Sequence, residues 1–492
     1  MNLHNHILMN PEVLAKYQPV IGLEIHAQLA TKSKVFTADH NEYGNLPNTN
    51  VSAITLAHPG TLPKINKKAV EFAIKMGIAC NCEINRFNFF DRKNYFYPDL
   101  PKGYQVTQDK APICKGGVIP IKTKDGKEKI IRLNRIHMEE DAGKNMHLDG
   151  EVDTLVDYNR AGVPLIEIVT EPDIRSSEEA FALMGEVRKL VRYLEICDGN
   201  MEEGSMRCDA NISVMLKGAA EYGKKVEVKN MNSIRNVQRA IDYEISRQIE
   251  LVEKGENIIS ETRQFDAVHG DTHGMRTKEE LNDYRYFPEP DLQPIVLTEE
   301  YISKIKSELP SLPHELYKQF VEEFGLPEYD ANVLTDTKEI ALYFEDLCSK
   351  TSNYKAASNW VMGPVKSYLN ELTLHVKDFP INTDRLAELI ALVDSNKVSY
   401  SVAAQKIYPV MLEGDKDSPL KIAEKLNLIQ DSNSGSLKPI VEEVLAKFPA
   451  KVAEYKSGKK GLLAMFMGEV MKASKGKADP KVATEILKEI LD

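Results

Sequence analysis

Two segments of the chain place carboxylate and imidazole side chains where they could bind a metal ion. Successive side chains of a β-strand point to opposite faces, so in residues 20–29 (VIGLEIHAQL) Glu24 and His26 share one face and apolar side chains occupy the other. In residues 137–144 (HMEEDAGK), Glu139 is the first of three adjacent carboxylates. Neighbouring carboxylates repel each other unless a cation lies between them, so these residues predict binding of a hard divalent cation.

Three further segments carry polar side chains in a similar pattern. In residues 206–214 (MRCDANISV), the polar side chains that alternate with apolar ones are Arg207, Asp209, Asn211 and Ser213. In the VEVK segment that follows, Glu227 and Lys229 share a face, and Glu167 lies inside the apolar run PLIEIVTEP. A carboxylate in such a run is costly unless it is paired or binds a cation. The mixture predicts a site for Mg²⁺ and phosphate, and an imidazole ligand would also admit Mn²⁺.

An ordinary antiparallel sheet with one face in water gives the same alternation. For any single strand we favour that interpretation, whereas several strands with acidic, imidazole, arginine and amide groups favour the metal and phosphate site. The chain has no GxxxxGK[ST] motif, no GxGxxG after a strand and no GxSxG motif. A nucleotide would therefore bind through a metal-lined sheet rather than a phosphate-binding loop.

These strands belong to a chain of 492 residues, which is too long for a single hydrophobic core. Strands mixed with helices are predicted from residue 18 to about 300, and helical patterns follow from about 311 onwards. We predict a mixed domain over 1–300, a helical domain over 301–412 and a small helical tail domain over 413–492.

The charge of the chain is unevenly distributed. A net charge of −11 argues against a basic nucleic-acid-binding surface on the whole protein, yet residues 451–480 hold seven lysines against three acidic residues. An amphipathic helix is predicted there, with Phe466 and Val470 among its core positions, Lys472, Lys475 and Lys477 at its C-terminal end, and Gly476 as its stop. The cluster predicts an RNA-binding appendage, and a solvated lysine-rich face is an equally open alternative.

Cysteine content and hydropathy indicate the compartment. Six cysteines are few for this length and predict free thiols in a reducing environment. No apolar run reaches membrane-spanning length, and the N-terminus resembles neither a signal peptide nor a transit peptide. We expect a cytoplasmic protein.

Seven segments resemble the B subunits of the three-subunit aspartyl/glutamyl-tRNA amidotransferases. The resemblance extends from residue 17 to the C-terminus, and residues 461–480 resemble the tRNA-binding tail of that family. The segments that carry it are 22–29, 89–105, 137–144, 157–173, 202–213, 227–233 and 283–292.

The resemblance implies an α+β protein. Its catalytic domain would have the glutamine-synthetase-like antiparallel sheet, followed by an all-helical domain and a small helical tail. It also implies that ATP phosphorylates the side-chain carboxylate of Glu or Asp on misacylated tRNA(Gln) or tRNA(Asn). Ammonia from a glutaminase A subunit would then give the amide, in a heterotrimer with a small C subunit.

The resemblance also implies roles for individual residues. It makes His26, Glu139 and Glu167 metal ligands, with Glu24 beside them. Lys93 and Lys102 match polar residues at the mouth of the ammonia path. The nucleotide-side candidates are Arg207, Asp209, Asn211 and Lys229, for which a structural hydrogen-bond network is the alternative.

One segment departs from the family pattern. Many members carry a zinc knuckle after the first strand, and the corresponding segments here are 34–44 (KVFTADHNEYG) and 50–60 (NVSAITLAHPG). The second cysteine pair is replaced by Ser52 and Thr55, which do not form a structural zinc site. We therefore expect ATP and Mg²⁺ as cofactors, and no zinc.

Two other functions remain open from the sequence. One is a non-catalytic tRNA-binding scaffold, which the presence of every acidic side chain and His26 disfavours. The other is a free-standing glutamine-synthetase-like ligase that acts on a small carboxylate. The basic helical tail disfavours this function, because a small substrate does not need such an appendage.

Overall fold

The computed structural model describes residues 11–148, 150, 152–277, 284–430, 434–474 and 477–492. It divides into two compact units whose boundary lies between Leu312 and Pro313. The division into three domains at residues 300 and 412 stays a prediction. Within the described parts of the chain, no helix has both the length and the apolar character that a membrane span requires.

In its described residues, the first unit contains seventeen strands and five helices. In chain order the strands are β1 (Tyr17–Gln28), β2 (Glu83–Ile84), β3 (Phe87–Asn88), β4 (Asp91–Asn94), β5 (Tyr104–Thr107), β6 (Cys114–Lys115), β7 (Val118–Lys122), β8 (Glu128–Glu140), β9 (Lys144–His147), β10 (Thr154–Asp157), β11 (Pro164–Thr170), β12 (Met206–Leu216), β13 (Val226–Lys229), β14 (Glu261–Asp266), β15 (Asp271–Thr277), β16 (Phe287–Pro288) and β17 (Ile295–Val296). The helices are α1 (Pro11–Leu14), α2 (Lys67–Ala79), α3 (Ser177–Tyr193), α4 (Ile234–Glu253) and α5 (Glu299–Ser307).

A large mixed sheet forms the centre of the first unit. Its strand order is β15-β14-β13-β12-β1-β11-β8-β6-β2, with β7 also paired to β8. Neighbouring strands are antiparallel except for the parallel pair β13 and β14. The long strands β12, β1, β11 and β8 are therefore adjacent, and their polar side chains can form one continuous surface.

The apolar face of this sheet is covered by helices. The predicted alternation in β1 is confirmed, since Ile21, Leu23 and Ile25 are completely buried. On β12, Ala210 and Ile212 are buried in the same core, to which α2, α3 and α4 contribute their apolar residues. Burial of this face fixes the register, because a shift of one residue would turn every side chain to the other face.

The second unit is helical in its described residues. Two π-helical turns, Val361–Val365 and Ala403–Ile407, join α9 to α10 and α12 to α13. The helices are α6 (Pro313–Glu322), α7 (Glu328–Leu334), α8 (Lys338–Cys348), α9 (Tyr354–Trp360), α10 (Lys366–Leu372), α11 (Thr383–Asp394), α12 (Tyr400–Val402), α13 (Tyr408–Leu412), α14 (Pro419–Lys425), α15 (Ser434–Lys447), α16 (Pro449–Lys456), α17 (Leu462–Ala473) and α18 (Pro480–Leu491).

The last four helices enclose a hydrophobic core of their own. Phe466 and Val470 of α17 are completely buried in it, which confirms the predicted amphipathic helix. The helix ends at Ala473, earlier than the predicted stop, because Ser474 caps it and accepts a hydrogen bond from the Ala478 amide. Lys475 and Gly476 lie outside the described residues.

A large sheet followed by a helical C-terminal region confirms the α+β class. The detailed likeness to the glutamine-synthetase fold stays a prediction. The six cysteines are free thiols, and all except Cys82 are buried.

Candidate metal and nucleotide site

Three strands bring the candidate metal ligands together. In the antiparallel register, Glu167 on β11 lies opposite His26 on β1 and opposite His137 on β8. Glu139 follows His137 by two residues on β8, so both side chains point to the same face. The strand pairing therefore brings together two imidazoles and two carboxylates from three strands that are distant in sequence.

The atoms of this cluster are close enough to surround one ion. His26 Nε2 lies 3.3 Å from Glu167 Oε2. His137 Nε2 lies 3.2 Å from Glu139 Oε1 and 3.4 Å from Glu167 Oε2. His26, Glu139 and Glu167 each offer a ligand atom within 4.8 Å of the others. One imidazole and two carboxylates fit Mg²⁺ or Mn²⁺ better than a thiolate-binding metal.

Electrostatic interactions keep the two carboxylates ionised. Burial acts to raise the pKa of Glu167, but the hydrogen bond from His26 and the charges of His137, His26 and Lys93 lower it below its usual range. Burial also acts to raise the pKa of Glu139, but the His137 hydrogen bond and the charges of His137 and Lys93 together lower it. For His26, burial acts to lower the pKa, whereas Glu167 raises it. The carboxylates are thus available as anionic ligands.

Side chains of β5 fix the orientation of the Glu139 carboxylate. Thr107 Oγ1 donates to its Oε1 at 2.5 Å, and Gln105 Nε2 donates to its Oε2 at 3.1 Å. Glu139 is only 5% exposed, so these bonds replace hydration that burial removes. The carboxylate is held in one orientation before any ion arrives.

The prediction that the three adjacent carboxylates of residues 139–141 bind one cation together is wrong, because their side chains do not form a single cluster. Glu140 forms an ion pair with Lys102 Nζ at 2.5 Å, and Asp141 forms one with Arg207 Nη2 at 2.8 Å. Strand alternation separates Glu139 from Glu140, and Asp141 follows the end of β8. Only Glu139 of the three contributes to the candidate metal site.

A second acidic group lies beside the first on the same face. Glu24, Asp209 and Glu227 each offer an oxygen within 4.8 Å of the others. Lys229 Nζ contacts Asp209 at 2.5 Å and Glu227 at 3.0 Å, and these carboxylates raise its pKa although burial acts to lower it. Asn211 Nδ2 donates to Glu24 Oε1 at 2.9 Å. Of the nucleotide-side candidates, Asp209, Asn211 and Lys229 therefore belong to this second acidic group, whereas Arg207 pairs with Asp141.

Burial raises the pKa of Glu24, as do the charges of Glu167 and Glu227. Glu24 thus connects the two acidic groups electrostatically. A cation at either group would relieve this repulsion.

The two predicted lysines occupy different positions. Lys93 Nζ lies 5.0 Å from the centroid of the Tyr284 ring, and its charge acts on Glu139 and Glu167. Lys102 Nζ lies 5.6 Å from the centroid of the Phe36 ring and is paired with Glu140. Lys93 is therefore near the candidate metal site. Lys102 instead lies beside Glu140, which does not contribute to that site.

Comparison with known proteins identifies the family of this chain. The family model described as the GatB/GatE catalytic domain matches residues 19–303, and a second, described as the GatB domain, matches residues 342–491. The chain belongs to the GatB/GatE family.

Similar proteins from several bacteria share one name, the B subunit of aspartyl/glutamyl-tRNA(Asn/Gln) amidotransferase. The protein of that name from Alkalilimnicola ehrlichii is 49% identical over 478 residues, covering 97% of this chain and 100% of the relative. Those from Chlorobium limicola and Thermoanaerobacter pseudethanolicus are 48% and 47% identical, with 97% of this chain covered and 100% and 99% of the relatives. The predicted resemblance is confirmed, as is the assignment to a ligase-type amidotransferase component.

Three residues of the site were not identified from the sequence: Gln105, Thr107 and His137. His137 precedes Glu139 by two residues, so the alternation rule used for β1 would have placed it on the same face. Gln105 and Thr107 also alternate, but nothing local indicates that β5 lies beside the end of β8. That proximity depends on long-range packing.

The segment that departs from the zinc-knuckle pattern is closed by hydrogen bonds. Asp39 accepts from the Ser52 amide at 3.0 Å, from Ser52 Oγ at 2.8 Å and from Thr55 Oγ1. Burial acts to raise the pKa of Asp39, but the hydroxyl groups of Thr55 and Ser52 lower it. A carboxylate therefore joins the two halves of this loop, and the expectation of no zinc stays a prediction.

Proposed function

We propose that this chain activates the side-chain carboxylate of Glu or Asp on a misacylated tRNA with ATP and converts it to the amide. The observation that carries the proposal is the cluster of His26, Glu139 and Glu167 on the polar face of the sheet. Family membership supports it, because the relatives are named as components of an aspartyl/glutamyl-tRNA(Asn/Gln) amidotransferase.

His26, Glu139 and Glu167 would hold Mg²⁺ or Mn²⁺, with Glu24 beside them. The ion would supply positive charge against the phosphate oxygens of ATP. Lys93 acts on Glu139 and Glu167 electrostatically, which supports a role for it in neutralising the transferred phosphoryl group. Arg207 and Lys229 would bind or orient phosphates from the other side, once their contacts to Asp141 and Asp209 rearrange.

The reaction balances in two steps. One oxygen of the substrate carboxylate bonds to the γ-phosphorus, and the bond from that phosphorus to ADP breaks. Ammonia then bonds to the acyl carbon, and phosphate leaves with the carboxylate oxygen and the proton that the nitrogen loses. The site must exclude water during this interval, since hydrolysis of the acyl phosphate would waste ATP.

The ammonia would come from a glutaminase A subunit of a heterotrimer that also contains a small C subunit. A cavity of about 270 Å³ lies beside the Lys102–Glu140 pair and is lined in part by Phe36, Tyr104 and Asp141. It supports an ammonia path that enters past Lys102. The absence of a GxSxG or comparable nucleophile motif from the sequence fits a chain that does not hydrolyse glutamine itself.

The helices of residues 434–492, within the tail domain predicted over 413–492, would bind the tRNA. Their own hydrophobic core and their lysines support this role, although the lysines differ in availability. Lys451 and Lys459 pair with Glu454, and Lys460 pairs with Asp492. Lys456 and Lys472 form no ion pair with a described residue, so they are the better candidates for phosphate contacts.

The proposal is tested by amidation assays with the chain and its partner subunits. Glu-tRNA(Gln) and Asp-tRNA(Asn) are supplied separately with ATP, Mg²⁺ and glutamine. Glu139→Gln is expected to lower amidation by roughly 100-fold or more, since a metal ligand contributes several kcal/mol to transition-state stabilisation. Glutaminase activity without tRNA should change little.

Glu128→Gln is the matched control, because Glu128 lies at the exposed start of the same strand. It should retain normal amidation. Turnover of Glu139→Gln near the wild-type value at saturating Mg²⁺ would show that the cluster is not the catalytic metal site.

A further inference from the structure

Two cysteines lie side by side at the edge of the large sheet. Its last two strands, β6 and β2, pair antiparallel with Cys114 opposite Ile84. Cys82 directly precedes β2, two residues before Ile84, so strand alternation points its side chain to the same face as that of Cys114. A hydrogen bond joins the two thiols. We call Cys82 and Cys114 the edge thiol pair.

The packing leaves space for both sulfur atoms. Gly77 on α2 lies against Cys114, where an added Cβ atom would collide with Sγ. Gly117, in the turn between β6 and β7, lies against Cys82 in the same way. Each sulfur therefore occupies volume that a glycine leaves open, and a larger residue at either glycine would push the thiols out of position.

The two thiols differ in their access to solvent. Cys82 is partly exposed, and its Sγ donates to the Gly116 carbonyl at 3.0 Å. Cys114 is completely buried, and its hydrogen bond with Cys82 and its burial both raise the pKa of its thiol. Oxidants react first with thiols that solvent reaches, and a neighbouring thiol then completes the disulfide. Cys82 is thus the thiol that meets an oxidant, and Cys114 is the resolving thiol.

A bond between these sulfur atoms requires a small movement of the strands. If the register of β2 and β6 continued, Cys82 would lie opposite Gly116, which makes it a diagonal neighbour of Cys114. Diagonal neighbours have Cα atoms roughly 7–8 Å apart, whereas the Cα atoms of a disulfide are usually within about 6.8 Å of each other. Oxidation must therefore draw β2 and β6 closer together.

A movement of β6 reaches the candidate metal site through two contacts. Cys114 pairs with β8 at the residue that precedes His137. Gln108 is completely buried, and its Oε1 accepts hydrogen bonds from the Ile113 amide at 3.0 Å and from the Met138 amide at 3.1 Å. Met138 lies between the two β8 residues of the candidate metal site. The edge thiol pair is thus linked to the backbone that carries the metal-site side chains.

We propose that the edge thiol pair is a reversible disulfide site whose oxidation weakens cation binding at the candidate metal site. The oxidant is of the peroxide class, and a thiol reductant reverses the step. Formation of the disulfide does not depend on the proposed function. Its effect on cation binding rests on the candidate metal site, on which the proposed function also depends.

The chemistry balances in two steps. The Cys82 sulfur bonds to one oxygen of hydrogen peroxide, the oxygen–oxygen bond breaks, and water leaves with the thiol proton, which gives a sulfenic acid. The Cys114 sulfur then bonds to the Cys82 sulfur, the sulfur–oxygen bond breaks, and a second water leaves with the Cys114 proton. The two thiols lose two electrons, and one peroxide is reduced to two water molecules.

Peptide mapping of the full chain tests the disulfide. The reduced protein is treated with hydrogen peroxide, its remaining thiols are alkylated, and cross-linked peptides are identified by mass spectrometry. A link between Cys82 and Cys114 should form in the wild type and in the control variant Cys348→Ser, whose cysteine lies in the second unit. A link between Cys82 and Cys80, or no link at all, would overturn the proposal.

Titration with Mn²⁺, followed by electron paramagnetic resonance of the free ion, tests the effect on the metal site. Oxidation should raise the Kd of the wild type about fivefold or more, a size typical of coupling between separate sites. Dithiothreitol, which is then removed by gel filtration, should restore the Kd to within about twofold of its initial value, because thiol exchange reopens the disulfide.

Cys114→Ser removes the resolving thiol and keeps a side chain of similar size. Peroxide treatment should change its Kd for Mn²⁺ less than about twofold, because no disulfide can form with Cys82. The variant also controls for oxidation of the 16 methionines, which peroxide modifies in both proteins. Cys82→Ser should behave alike. An equal loss of Mn²⁺ affinity in these variants and the wild type would assign the effect to other oxidised residues and contradict the coupling.

The outcomes separate this inference from the proposed function. A disulfide that forms without a change in Mn²⁺ affinity would mean that the coupling is wrong, although the metal site stands. If the reduced wild type binds no Mn²⁺, the proposed metal site fails, and the coupling fails with it. A reversible disulfide together with a reversible loss of Mn²⁺ affinity is the result that we expect.

Discussion

At the residue scale, the candidate site depends on how firmly two carboxylates are held. Glu139 accepts hydrogen bonds from Thr107, Gln105 and His137, and His137 also faces Glu167. His137 is 2% exposed, and its Nδ1 has no hydrogen-bond partner among the described residues. A metal-binding histidine normally donates its second ring nitrogen to a partner, so we interpret His137 as a positioning residue that donates from Nε2.

The effect of a His137 substitution on metal affinity should depend on whether the new side chain can still donate a hydrogen bond to Glu139. His137→Leu is expected to weaken Mn²⁺ binding roughly 10- to 100-fold, whereas His137→Gln, with a donor at a similar position, should stay within about threefold of wild type. Electron paramagnetic resonance of free Mn²⁺ during titration measures both. Equal affinity in the leucine variant and the wild type would rule out the positioning role, and the exposed His147→Leu is the control.

Lys34 is expected to make stability depend on pH. It is fully buried, its Nζ donates to the Tyr158 carbonyl at 3.2 Å, and burial lowers its pKa to about 8. Between pH 8 and the unfolded-state value near 10.4 the unfolded chain holds a proton that the folded chain has released. The wild-type protein therefore gains stability as pH rises through this window.

Lys34→Met should remove this dependence. Between pH 7 and pH 9.5 the free energy of unfolding of the wild type should rise by on the order of 1–2 kcal/mol relative to that of the variant. Urea unfolding measures both. The exposed neighbour Lys32→Met should follow the wild-type curve. If the free energies of unfolding of the wild type and of Lys34→Met differ by the same amount at every pH, Lys34 does not titrate in this range.

At the element scale, alternation within single strands was predictable and pairing between distant strands was not. The apolar residues of β1 and β12 specify which face is buried, so His26 and Asp209 could be placed on the polar face from the sequence. Glu139 was identified, but its separation from Glu140 and Asp141 depends on where β8 ends and on partners such as Lys102 and Arg207. The contacts from β5 require tertiary packing that no local pattern encodes.

The loop between β1 and α2 should remain closed without zinc. Metal analysis of the untagged protein is expected to find less than one zinc per chain, because Asp39, Ser52 and Thr55 already satisfy one another. One tightly bound zinc per chain would show that the interpretation of residues 34–60 is wrong.

Asp39→Ala should open this loop, since it leaves the two hydroxyl groups and the Ser52 amide without their acceptor. Protease cleavage within residues 37–63 should accelerate in this variant. Glu42→Ala, at an exposed residue of the same loop, is the control. Unchanged cleavage of Asp39→Ala would mean that other contacts hold the loop.

At the scale of the whole molecule, the proposed function places catalysis and binding of the distant parts of the tRNA on different segments of the chain. Removal of residues 431–492 deletes the helices that enclose their own core and keeps α14, which packs against α11. The truncated chain with its partner subunits should show a raised KM for mischarged tRNA and a shallower salt dependence of tRNA binding. Its glutaminase activity without tRNA should be nearly unchanged.

Lysine substitutions refine this test. Lys456→Gln with Lys472→Gln should weaken tRNA binding and reduce the salt slope by about two, since each phosphate contact contributes roughly one. Lys438→Gln with Lys447→Gln, at lysines that pair with Glu489 and Glu443, is the matched control. Unchanged affinity and salt slope after truncation would show that the lysine cluster is a solvated face.

The central claim is that the polar face of the sheet transfers phosphate from ATP to the substrate carboxylate. The most direct measurement uses Glu-tRNA(Gln) with ¹⁸O at both oxygens of the side-chain carboxylate, amidated by the complete enzyme with ATP and glutamine. Each amide formed should release phosphate that carries one ¹⁸O atom, detected by mass spectrometry, and Glu139→Gln should abolish this transfer. Amide formation that releases phosphate without ¹⁸O would contradict carboxylate activation by phosphorylation.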